Sequence, residues 1–118
     1  MIAMLRMLLS ALAAQLWGTV REVEDNSAVA IVKVQSLIRV MDFVASALIA
    51  AKQSSDTPTE NERQLAQLEA QLVNFERDTR TLAARGAHHA EARHEIAAGA
   101  LAQLRAVSFA AQVEEMTS

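Results

Sequence analysis

The segment AVAIVKVQSLIRVMDFVASALIAAK, Ala28 to Lys52, is rich in valine and isoleucine, yet its polar residues do not alternate. Lys33, Ser36, Arg39, Asp42 and Ser46 are spaced by three or four. A half-buried strand would space them by two, so the period selects helix even though β-branched side chains lower the intrinsic preference for it. The most strand-like part of the chain is thus helical by pattern, and nothing else in the sequence competes for a sheet. Alanine makes up about a fifth of the residues, and arginine outnumbers lysine. Such residues lose little freedom in helices.

The same spacing recurs elsewhere. Leu5, Leu8, Leu9, Leu12, Leu16, Val20 and Val23 form one broad apolar face, with Arg6, Ser10, Arg21 and Glu24 on the other side. Leu65, Leu68, Leu72, Phe75, Thr79 and Leu82 form a narrower seam, and Ile96, Ala100, Leu101, Leu104, Val107 and Ala111 follow. Three breaks separate these runs. Glu24 to Ser27 holds the cap residues Asp25, Asn26 and Ser27. Lys52 to Glu60 is polar and contains the sole proline, and Thr59 with Glu62 reads as a capping box with Pro58 just outside it. Gly86 suits a left-handed helix end, with Arg85 beside it.

These breaks predict helices over about 1–24, 27–52, 60–85 and 87–115 in a single domain, 1–118. Four near-equal rods joined by short turns describe an all-α, antiparallel up-down four-helix bundle. The alternative keeps the apolar seam unbroken through residues 26 and 86, giving a hairpin of two long helices that dimerises into a bundle.

The chain has no cysteine, which excludes disulfides, thiolate ligands and a thiol nucleophile. Its net charge of −3 argues against nucleic acid as a partner. No serine sits in a Gly-x-Ser-x-Gly turn, the three glycines form no phosphate loop, and no cofactor is expected. The N-terminal MLRMLLSALAAQ has an early arginine and a short apolar run, a weak secretory-signal pattern that leaves export as an alternative. Ala28 to Ala51, the most apolar stretch, is interrupted by Lys33, Arg39 and Asp42. No uninterrupted apolar run reaches about 20 residues. The expectation is a cytoplasmic protein with no membrane partner.

All three histidines fall in ARGAHHAEARHEI, Ala84 to Ile96. On a helix beginning near Ala87, His88, Glu91, His94 and Glu95 share an arc of about 120°, and His88, Glu91 and Glu95 point away from the core. His89 and Arg93 point toward it. Glu91-x-x-His94 has the spacing of carboxylate-bridged di-iron bundles, but the second such pair and the further glutamates are lacking. His88, Glu91 and His94 are the candidates for a surface metal site, short of convergent ligands on a single helix turn. At the level of architecture alone, an antiparallel bundle with an exposed histidine resembles a histidine phosphotransfer domain. That resemblance implies a mid-helix phosphate-accepting histidine followed by lysine and glycine. His94 is followed by EIAAG, with Gly99 but no lysine. Protonation of the histidines beside Arg77, Arg80, Arg85 and Arg93 is a further possibility. The simplest reading is a solvated helix face.

The apolar excess is the sharper signal. Ile31, Val32, Val34, Leu37, Ile38, Val40, Met41, Phe43 and Val44 surround most of their helix, whereas a core-facing helix needs about three positions in seven. Trp17 falls on the polar side of the first helix, where an interface anchor is expected. The expected interface is Trp17, Leu9, Leu16, Val32, Val40 and Phe43, in a homodimer formed through the first half. The expected function is non-enzymatic: protein–protein interaction as an adaptor, chaperone or regulatory module, with a protein client as a possible partner. A histidine-centred activity at residues 88–95 is the alternative.

Overall fold

A computed structural model describes residues 1–23, 28–53 and 57–117. Four helices run in order: α1 (Ile2–Val23), α2 (Ala28–Gln53), α3 (Pro58–Ala84) and α4 (Ala90–Thr117). They pack side by side into a four-helix bundle of 46 × 29 × 28 Å. Each helix lies against the next in sequence, α4 closes back on α1, and α2 also touches α4 across the middle. Neighbouring rods joined by such short links run antiparallel. The long-hairpin alternative fails because α1 folds back on α2, and α3 on α4, within one chain. The cap residues expected at 24–27 lie outside the described residues.

The core is built as the periodicity requires. Leu5, Leu8 and Leu12 of α1, Leu37, Val40 and Val44 of α2, Leu68 and Leu72 of α3, and Ile96 and Leu104 of α4 are buried together. At about 25 cal/mol per Å² of apolar area removed from water, these side chains supply the dominant favourable term. The buried hydroxyls are satisfied within their own helices. Thr19 donates to the Gln15 carbonyl, Ser36 to the Val32 carbonyl and Thr79 to the Phe75 carbonyl, each at 2.9 Å. Thr79 can therefore occupy an apolar seam at little cost.

Helix ends differ in detail from the sequence expectation. The N-cap of α3 is Thr57, not Thr59: its Oγ1 accepts from the Glu60 amide at 3.3 Å, and Pro58 is the first helical residue. Proline's fixed φ and missing N–H suit that position, so the helix begins two residues earlier than the 60 expected. At the other end, Gly86 has φ +74°. Its N–H donates to the Ala83 carbonyl and that of Ala87 to the Leu82 carbonyl, both at 3.0 Å. This is a Schellman end, made possible by glycine's freedom at positive φ. The turn then takes in His88 and His89, so α4 begins at Ala90 and not at 87.

Two expectations about surface and location are corrected. Val32 and Val40 are buried inside one copy of the chain, at 7% and 0% exposure, and so cannot form an interface. The expected cytoplasmic location is overturned by three helical stretches long and apolar enough to cross a membrane: Ile2–Glu22, Ala28–Gln53 and Ala90–Glu114, of 21, 26 and 25 residues. At 1.5 Å per residue each exceeds the roughly 30 Å of a bilayer's hydrocarbon core. Length and mean apolarity meet the requirement despite the interrupting charges, and the demand for an uninterrupted run was too strict. Helix α3, with its charged outer face, is not among them.

Candidate functional site

The histidine region is built by the Schellman turn. Gly86 reverses the chain, and His89 is the one non-glycine described residue at positive φ, 58°. His88 and His89 are thereby held ring against ring, with centroids 3.8 Å apart. They border an open cavity of about 490 Å³ that also takes in Val29, Lys33, Glu91 and Glu95. Lys33 of α2 reaches Glu95 of α4 at 3.6 Å, which ties the cavity's two walls together.

His94 is not part of this cavity. It turns toward α3, and its Nε2 lies 3.0 Å from Glu76 Oε1. On a helical wheel it falls at the edge of the arc whose His88, Glu91 and Glu95 point outward. It is instead half-buried at the α3–α4 seam, where Glu76 is mostly covered and Arg80 approaches at 3.9 Å. The hydrogen bond from His94 holds the Glu76 carboxyl below the usual glutamate value. The charges of Arg80, His94 and Arg105 act in the same direction, against the opposing effect of burial. About two turns further along α3 on the same seam, Arg105 Nε meets Glu69 Oε1 at 3.1 Å. His88, Glu91 and His94 therefore do not converge, and among the described residues no three histidine or acidic side chains are grouped as metal ligands.

The second candidate is the outer surface. Trp17 is 67% exposed, as its position among polar residues foretold. Leu9 and Leu16 are half-buried against the core, and Phe43 meets Phe75 edge to face at 6.3 Å. The guanidinium of Arg39 lies over both rings, 5.8 Å from Phe43 and 5.2 Å from Phe75. Of the six expected interface residues, only Trp17 is fully at the surface. Others not singled out from sequence join it: Met7, Ile49 and Phe109, with Ile31 and Ile38, which had been noted only as part of the apolar excess. The signal for the isoleucines was present, since 31, 38 and 49 fall on one line of a helix.

The outer faces are unequal. Those of α1, α2 and α4 carry these large apolar side chains, whereas α3 exposes Glu62, Arg63, Gln67, Asn74, Arg77, Asp78 and Arg80, with Leu82, expected in the seam, exposed near its end. At the end where α1 begins and α4 finishes, Met1, Met4 and Met7 face Val107, Ala110 and Ala111 across a groove of about 610 Å³.

Set against known proteins, the chain matches no family model, no curated protein and no solved structure. The functional reading therefore rests on the site alone.

Proposed function

We propose that this protein is a non-enzymatic, membrane-associated helical bundle that acts by protein–protein contact, with a second copy of the chain as its first partner. The observation that carries this is Trp17, 67% exposed on a helix whose length and apolarity suit a bilayer. A tryptophan is costly to leave in water, and its apolar ring with one N–H donor suits either a helix interface or the membrane–water boundary. Ile31, Ile38 and Ile49 of α2 and Phe109 of α4 extend the same character round three sides of the bundle. An adaptor, chaperone or regulatory module uses its surface in this way, and a protein client is a further occupant. The histidine-centred alternative has less support, because His94 is engaged by Glu76 and no three histidine or acidic side chains among the described residues are grouped to hold an ion.

The test has two parts. Cell fractionation with an alkaline wash should leave the protein in the membrane pellet. Sedimentation in mild detergent should give a dimer that Trp17→Asp weakens. A chain recovered in the soluble fraction as a monomer, with and without that substitution, refutes the proposal.

A further inference from the structure

On the exposed side of α2, Ile31, Ile38 and Ile49 are 45%, 48% and 55% exposed. Gln35, Arg39, Asp42 and Ser46 are the exposed polar residues along the same side. At 100° per residue the three isoleucines lie within about 20° of one another, and Asp42 lies about 20° to one side of Ile31 and Ile49.

Asp42 and Arg39 are the unexplained groups on this face. Ion pairs among the described residues include Lys33, Arg63, Arg77, Arg80, His94 and Arg105 as basic members and Glu60, Glu69, Glu76, Asp78 and Glu95 as acidic ones. Neither Arg39 nor Asp42 has such a partner. Arg39 rests over two aromatic rings, and none of the ion pairs found among the described residues includes it. Both sit at the middle of a helix long and apolar enough to span a membrane, where an unpaired charge is most expensive.

The order of residues on this face is close to a palindrome. The midpoint of α2, Ala28–Gln53, falls between residues 40 and 41. A two-fold axis there, perpendicular to the helix, sets Arg39 level with Asp42 of the other copy and Gln35 level with Ser46. It brings Ile31 within one residue of Ile49. A parallel pair would set Arg39 level with Arg39 and Asp42 level with Asp42, and like charges directly opposed are unfavourable.

We infer that the exposed face of α2 is the self-association surface, pairing antiparallel about a two-fold axis at its midpoint with two reciprocal Arg39–Asp42 ion pairs between copies. The inference rests on the self-association proposed above and specifies its surface and direction. A two-fold interface of this kind is closed, which limits assembly to a dimer.

Charge exchange and cross-linking test it independently. Asp42→Arg alone and Arg39→Asp alone each set like charges level across the axis. Either should weaken the dimer in detergent or in lipid nanodiscs by about tenfold or more. The double variant restores opposite charges and should recover most of the loss. The chain has no cysteine, so introduced thiols report cleanly. Ile31→Cys mixed with Ile49→Cys should cross-link, while Ile31→Cys alone should not, because antiparallel copies would hold those positions about 28 Å apart. A wild-type dimer that neither cross-links in the mixture nor regains affinity on charge exchange overturns the α2 pairing and leaves association through another face. A wild-type chain that never dimerises removes both readings.

Discussion

Glu76 and His94 show how a single contact reassigns a residue. The imidazole crosses from α4 to α3 and donates into a carboxylate already attended by Arg80. Because the folded carboxyl titrates below the usual 4.5, the contact contributes stability above that value and loses it as pH falls below it. Glu76→Gln should therefore lower the melting temperature at neutral pH and converge with the wild type as the pH falls, which flattens the acid limb of the profile. An acid limb as steep as the wild type's would show that the pair contributes nothing to folding. No reading of the sequence could have found this partner, since Glu76 and His94 are 18 residues apart and on different helices. A helical wheel gives directions from one axis only, and the packing of α3 against α4 decided which way His94 faced.

At the scale of elements, helix existence and type were legible and helix ends were less so. Threonine and glutamate three residues apart occur twice in TPTENE, at 57 and 60 and again at 59 and 62. Spacing cannot choose between them. The deciding signal was proline, which belongs at the first helical position and so points back to Thr57 as the cap. Thr57→Ala should cost about 1 kcal/mol in chemical denaturation, and Thr59→Ala much less. Equal losses would show that the hydroxyl of Thr57 is not the functional cap. The Gly86 end was readable because a left-handed residue after a helix is a strong glycine signal. The conformation of His89 was not readable, because histidine visits positive φ far less often than glycine does, and its φ of 58° is set by the fold around it.

For the whole molecule, the four-helix bundle and much of its core followed from periodicity, and its location did not. Lys33, Arg39 and Asp42 interrupt the apolar run of α2, which in a linear reading argues against a span. Lys33 is paired with Glu95 inside the fold, and Arg39 lies over the rings of Phe43 and Phe75 but has no carboxylate partner among the described residues. Both arrangements depend on other helices and are invisible in a linear reading. Core and outer surface should respond differently to truncation. Leu72→Ala, at a fully buried site, should cost about 2–5 kcal/mol of folding stability. Phe109→Ala, at 67% exposure, should cost about 0.5 kcal/mol or less. Its effect should instead appear as reduced flotation with lipid vesicles. Unchanged flotation together with a large loss of stability would place Phe109 in the fold's own packing. The wet outer side of α3 has one further consequence. A rod with three greasy flanks and one charged flank carries a keel, so wherever it meets an apolar phase its rotation about the long axis is set, and any copy beside it must lie with its own keel in water.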